Sequence, residues 1–273
     1  MSQTSTPPFV GRREHFAAVG STNDVVRSWL AMGEAEVCLA VADEQTAGRG
    51  REGRTWTAPA GRALLLSLGF RPSWLEPSRV WQIAASVSMA MVHAAESTAG
   101  LSPRTVRLKW PNDLVAEIDD GSVRKLGGVL GETDGLGSDD PRVVVGLGIN
   151  ADWPAASFPP PLAEGMTSLR ECAGGRPIDR DALADAFVER LETGIDALRA
   201  GGFDAPGWSD RQSTTGRVVE LVRPDGTSEP VRALGVDPDS GALLVDDPSA
   251  TDGRRAVLVG EIRHARLAPT VGV

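Results

Sequence analysis

The chain predicts a mixed α+β fold, one β-sheet packed with helices and then a small SH3-like β-barrel domain. Three observations carry this reading. Apolar, strand-like runs between residues 106 and 149 follow one another with no helical pattern between them. The helical periodicities cluster on either side of those runs, and from Gly216 onward short apolar runs alternate with turn sequences. A doubly wound parallel sheet would instead need strands and helices to alternate.

The first 12 residues are rich in Ser, Thr and Pro and contain no apolar stretch of signal-peptide length, so they read as a mobile tail. A helix is predicted over 23–32, capped by Ser21 or Thr22, with Val25, Val26, Trp29 and Leu30 as its apolar stripe and Gly33 at its end. Strands follow over 37–42 and 64–70. The run 80–95 (VWQIAASVSMAMVHAA) is about four residues too short for a membrane span and carries Gln82, Ser86, Ser88 and His93, which makes it a buried helix. Strands over 106–110, 114–118, 126–131 and 143–149 are bounded by Gly, Pro, Asp or Asn, and the Pro-rich stretch 153–162 is a loop. A long amphipathic helix opens at Asp179, repeats Leu183, Phe187, Leu191, Ile195 and Leu198 at three- and four-residue spacing, and stops at Gly201-Gly202. The runs RVVELVR, EPVRAL, ALLVDD and RAVLVGEI, separated by PDGT, DPDSG and SATDG, have the pattern of hairpins. The expected division is a larger domain over 1–213 and a small β domain over 214–273.

Composition bounds the function. The 273 residues carry a formal net charge of −9 and are 41% hydrophobic, enough for one full core and a small second one. An acidic chain is poorly suited to gripping nucleic acid over its whole surface, and residues 216–273 contain no aromatic side chain on which bases could stack. Two cysteines and three histidines, none closely spaced, indicate neither a disulfide framework nor a zinc site, and no metal-ligand set is legible. No nucleic-acid or membrane partner is expected, and a cytoplasmic protein is. Arginine outnumbers lysine 26 to 2, and asparagine occurs only at positions 23, 112 and 150. Lys109 and Lys125 therefore stand out, because a compact ammonium is not replaced by a guanidinium where a point charge is needed.

The densest chemistry lies in Gly48-Arg49-Gly50-Arg51-Glu52-Gly53-Arg54-Thr55-Trp56. It formally contains GxGxxG, but the following TWTAPAGRA is poor helix material, so no helix N-terminus would meet a pyrophosphate and a dinucleotide fingerprint is rejected. What remains is a Gly-rich loop with three guanidinium groups, suited to an anion. An ordinary surface loop with chance arginines is the plainer alternative. Lys109-Trp110-Pro111-Asn112-Asp113 ends a strand abruptly, where a turn alone would account for all but the lysine and tryptophan. Lys125-Leu126-Gly127-Gly128 and Gly146-Leu147-Gly148-Ile149-Asn150 place glycines inside apolar strands, which costs stability unless something must approach closely or a bulge is needed.

These segments, with Ser21-Thr22-Asn23, the approach Asp43 to Ala47, Thr167-Ser168-Leu169 and Gly260-Glu261-Ile262, occur in an order and spacing that closely resemble biotin-protein ligases over nearly the whole chain. The resemblance implies that biotin and MgATP form biotinyl-5′-adenylate, whose acyl group passes to a lysine on the biotin carboxyl carrier domain of a biotin-dependent carboxylase. It implies biotin contacts from Ser21, Thr22, Asn23, Gln45, Gly48, Arg49, Trp56, Trp110, Gly127 and Gly128. ATP and adenylate contacts would come from Arg51, Arg54, Asn112, Lys125, Gly148 and Asn150, and the reacting groups from Lys125, Arg49, Arg51 and Asp113. Mg²⁺ would sit on the ATP phosphates. Only about 20 residues precede Ser21, too few for the helix-turn-helix domain of the repressing relatives. The nearest alternatives are a lipoate or octanoate ligase, whose segments match less well, and a non-catalytic sensor of biotin or nucleotide.

Overall fold

The structure, a computed structural model, describes residues 8–117, 123–222 and 227–258 and the backbone of His264–Leu267. Seven strands form the main sheet: β1 (Arg12–Phe16), β2 (Cys38–Ala42), β3 (Ala63–Phe70), β4 (Val106–Lys109), β5 (Asp113–Glu117), β6 (Val123–Asp134) and β7 (Arg142–Asn150). Their order is β1-β2-β3-β7-β6-β5-β4, antiparallel except for the parallel pair β1–β2. The two-residue side-chain period sorts this sheet into two faces. Cys38, Ala40 and Val144 pack on one face against Val26, Trp29 and Leu30 of α1 (Thr22–Ala31). Leu39, Val41, Leu66, Leu68 and Leu147 belong to the main core, shared with α2 (Trp81–Ala99) and α4 (Arg180–Arg199). Alternation alone thus yields three layers, with the mixed α+β fold as expected.

Helix ends follow local chemistry. Asp179 caps α4 by accepting from the backbone N–H of Asp181 and Ala182, both at 3.0 Å. Ser21 occupies the N-cap of α1 but makes no side-chain capping bond. The N–H of Thr22 donates instead to Gln45 Oε1 at 2.8 Å, so the expected cap is supplied from the loop after β2. Short helices α3 (Leu169–Cys172) and α5 (Ala205–Asp210) lie outside the predicted pattern. Residues 8–12, read as tail, lie against the body of the fold: Phe9 and Val10 pack on the core and Gly11 N donates to Val37 O. β1 escaped prediction because RREHF is mostly charged, as suits an exposed edge strand.

Strands β8 (Val218–Val222), β9 (Ser228–Val236), β10 (Leu243–Asp246), β11 (Arg254–Val257) and β12 (His264–Leu267) form a second sheet in the order β11-β10-β9-β8-β12. Among the described residues no pairing joins β11 to β12, so the expected barrel is here an open antiparallel sheet. Both edge strands are only four residues long, which gives little backbone with which to close it. Ile118 and Gly260-Glu261-Ile262 fall outside the described residues.

Candidate active site

The chamber opens on the α1 face of the main sheet. Gly146 and Gly148 of β7 form part of its lining, and the close approach explains both glycines. A Cβ at Gly146 would stand 2.2 Å from Asn23 Oδ1, and one at Gly148 would stand 2.8 Å from the Trp56 indole. Around them the structure gathers Ser21, Thr22, Asn23, Gln45, Arg49, Arg51, Arg54, Trp56, Trp110, Asn112, Asp113, Lys125 and Gly128. Segments separated by as much as 127 positions thus meet because β5, β6 and β7 are adjacent and α1 lies over β3 and β7.

Its deep end is polar and rigid. Gln45 Oε1 accepts from Thr22 N at 2.8 Å and from Thr22 Oγ1 at 3.0 Å, so its carbonyl end is committed to α1. Ser67 Oγ, fully buried in β3, lies 2.7 Å from Thr22 Oγ1 and 2.6 Å from Asn23 Oδ1. Ser67 was missed by sequence reasoning; its signal is the single polar residue in ALLLSLGF. With Asn23 Oδ1 occupied, Asn23 Nδ2 is a buried donor without a partner, and so is Trp56 Nε1. Buried orphan donors cost roughly 1–3 kcal/mol each, and a chamber wall is where a ligand acceptor can recover that cost.

The other end is cationic. Lys125 Nζ lies 2.6 Å from Asp113 Oδ1 and 5.7 Å from the centre of the Trp56 ring. The Lys125 backbone is pinned on both sides, its N–H donating to Gly165 O and its carbonyl accepting from Thr167 N. Asn112 Nδ2 donates to Val129 O at 2.9 Å. Burial lowers the pKa of Arg51, opposed by Glu52 and Asp113, so this guanidinium is partly stripped of water beside the ligand space. Arg49 is placed differently. It pairs with Asp24 and Glu132, two residues that sequence reasoning did not single out.

Gly48, Gly127 and Asn150 do not line the chamber. A Cβ at Gly48 would meet Trp56 O at 2.4 Å, so this glycine lets the loop close on itself. One at Gly127 would meet Gly148 O at 2.5 Å, which makes its role the approach of β6 to β7. Asn150 is buried and donates from Nδ2 to Thr167 O at 2.9 Å, bracing the segment after the Pro-rich loop. The loop itself is a narrow turn: Gly50 N donates to Arg54 O, Trp56 N donates to Gly48 O, and Arg51–Gly53 form one 3-10 turn with Glu52 in the left-handed region at φ 59°. No long helix follows it, in keeping with rejection of a dinucleotide fold.

A chamber that brings buried unpartnered donors together with cations beside a Gly/Arg loop has the chemistry to hold a neutral polar ring and an anionic group, as an acid-activating ligase needs. The sequence model of the Biotin/lipoate A/B protein ligase family matches residues 16–150. The biotin--[acetyl-CoA-carboxylase] ligase of Mycobacterium tuberculosis is 31% identical over 254 residues, 92% of this chain and 88% of that protein. The bifunctional ligase/repressor BirA of Escherichia coli is 32% identical over 76% of this chain and 61% of its own length. The biotin protein ligase of Aquifex aeolicus, solved in complex with biotin and ATP, has the same fold, with a TM-score of 0.75, 24% identity, and coverage of 94% of this chain and 99% of that one. The chain belongs to the biotin/lipoate A/B protein ligase family, on the branch of the biotin-protein ligases.

Proposed function

We propose that the chamber joins biotin to ATP as biotinyl-5′-adenylate with release of pyrophosphate, then passes the biotinyl group to a lysine on the carrier domain of a biotin-dependent carboxylase in the cytoplasm. The observation that carries this is the pairing, in one chamber, of buried orphan donors at Asn23 and Trp56 with the cations Arg51, Arg54 and Lys125. The first end suits a neutral ureido ring with a strong carbonyl acceptor, held among Ser21, Thr22, Asn23 and Gln45 beneath Trp56. The second suits a carboxylate meeting a triphosphate.

In the first step a biotin carboxylate oxygen attacks the α-phosphorus and the bond to pyrophosphate breaks. Two anions must approach, so cations near the reacting atoms lower the barrier. Lys125 and Arg51 supply them, and the partial desolvation of Arg51 strengthens its field. Mg²⁺ on the ATP phosphates would offset their charge and ease the approach of the carboxylate. In the second step the lysine nitrogen attacks the acyl carbon, an amide bond forms, the acyl–phosphate bond breaks and AMP leaves. Asp113, bound to Lys125, is the carboxylate positioned to take the amine proton. The loop from Gly48 to Trp56 keeps water from the adenylate meanwhile.

The test is ATP–pyrophosphate exchange with biotin, lipoate, octanoate or no acid, alongside Lys125→Ala. Exchange that requires biotin and collapses in the variant is expected. Exchange with lipoate or octanoate alone would move the chain to the other branch of its family, and binding of biotin without any exchange would make it a sensor.

A further inference from the structure

Behind the turn that joins β4 to β5 lies a second chamber, between α2, α5 and the second sheet. Residues 109–113 form the partition between the two chambers, and Asp113 lines both, whereas Lys125 lines only the first. The second sheet is tied to this partition by Trp110, whose Nε1 donates to Gly241 O at 3.0 Å. Gly241, at φ +73°, lies so close to the Trp81 indole that a Cβ there would be 2.9 Å away. Trp81 in turn packs on Trp208, with ring centres 5.1 Å apart.

The walls are largely aromatic and aliphatic, yet they carry two buried polar atoms without partners. Gln212 is 3% exposed and its Oε1 accepts no hydrogen bond; Trp81 Nε1 donates none. The same signal marks the first chamber, at Asn23 and Trp56. Native structures satisfy most buried polar groups, so an acceptor from the segment after α5 and a donor from α2, both orphaned in the lining of one chamber, call for an occupant with the complementary pair.

We propose that the second chamber receives the acceptor lysine of the carrier domain; the proposal rests on the reading of the first chamber given above. A lysine arm has four methylenes for the tryptophan walls, ammonium donors for Gln212 Oε1, and a peptide carbonyl beside it for Trp81 Nε1. Its nitrogen would reach the partition at Asp113, which takes one proton from the ammonium; the freed amine then attacks the acyl carbon, and its second proton leaves with AMP as the acyl–phosphate bond breaks. A nucleotide base could offer a similar donor and acceptor, and Arg51 and Lys109 also line this chamber, so the nucleotide is the occupant the test must separate from the lysine. Gln212 thereby becomes a residue that positions the acceptor and has no part in adenylation.

Two variants test this, Gln212→Leu, which removes the acceptor at nearly constant volume, and Ala84→Phe, which fills the chamber from α2. Each is assayed for biotin-dependent ATP–pyrophosphate exchange, for capture of the adenylate by hydroxylamine, and for transfer to a purified carrier domain of an acetyl-CoA carboxylase. The expected result is unchanged exchange and hydroxylamine capture, with kcat/KM for the carrier lowered at least about tenfold, the scale of one hydrogen bond to a charged group. Transfer at the wild-type rate in both variants overturns the proposal. So does a raised KM for ATP with transfer otherwise intact, which would assign the chamber to the nucleotide, and so does loss of exchange in both variants. A wild-type protein without biotin-dependent exchange would remove the underlying reading itself, and is told apart because no variant is needed to see it.

Discussion

Arg49 and Asp24 form a two-point ion pair, Nη1 to Oδ2 at 2.7 Å and Nη2 to Oδ1 at 2.8 Å, while Glu132 accepts from the same guanidinium at 3.3 Å. Arg27 bridges the two acids from the other side. The sequence suggests Arg49 as a cation for phosphate and biotin carboxylate, but here its charge is committed to α1 and β6. Its geometry is that of an anchor, fixing the start of the Gly/Arg loop to the body of the fold.

Asp24→Asn should therefore loosen the loop more than it destabilises the protein. Each exposed pair contributes about 1 kcal/mol or less, so global stability should barely change. Tryptic cleavage after Arg51 or Arg54 should become several-fold faster, and adenylate should leak to water at a raised rate. The hydrogen bond from Arg49 holds the Asp24 carboxyl below its ordinary pKa. A depressed carboxylate contributes above its unfolded value and is lost as pH falls through the folded one, so the anchor should persist to pH 4 and open only in stronger acid. Cleavage rates that match the wild type would reject the anchor.

Gly148→Ala should damage biotin binding while leaving the fold intact. The added methyl enters space held by the Trp56 indole, which must move, since the rigid β7 backbone cannot. A rise of about tenfold or more in KM for biotin is expected, with a shift in tryptophan emission; Gly131→Ala, whose Cβ would meet nothing within 4 Å, is the control.

How far the sequence reveals this site depends on what each residue touches. Gly146, Gly148 and Lys125 were legible because they break a local rule, glycine within an apolar strand or lysine in an arginine-rich chain. Asp24 and Glu132 were not, because a charged residue on an exposed helix or strand breaks none. Their role exists only once α1 and β6 are brought to the same loop. Asn150 is a different case: the family resemblance implies an adenylate contact, and in the fold its Nδ2 donates to Thr167 O and braces that segment. The apolar strands and the long helices were legible from periodicity, whereas β1 and the short helices α3 and α5 carry too little of either pattern. Closure of the second sheet depends on pairing between distant edges, which no local pattern encodes.

Both thiols should be slow to react in the folded protein. Burial raises the Cys38 thiol to about 11, and burial raises Cys172 as well. At pH 8 only about one Cys38 in a thousand would then be thiolate, and the nucleophile is the thiolate. Ellman's reagent should register little in minutes under native conditions and both cysteines after denaturation. Prompt native labelling of Cys38 would show that β2 opens on that timescale.

Arg211→Ala should cost far more than any exposed pair. Arg211 Nη1 and Nη2 meet Glu96 Oε1 and Oε2 at 2.7 and 3.0 Å, and the two side chains are only 12% and 9% exposed. Glu96 also accepts from Val106 N at 3.1 Å and Arg211 donates to Val106 O at 3.2 Å, so the pair joins α2, β4 and the segment after α5. Removing the guanidinium strands a carboxylate among apolar neighbours, for which about 3–5 kcal/mol is the usual scale. Urea unfolding should show that loss as a lower midpoint. Glu96→Gln should cost less, because the amide oxygen can still accept from Val106, and the double variant should cost less than the two changes summed. Strict additivity would mean that the two side chains act independently and that the junction is held by Val106 and its backbone partners alone.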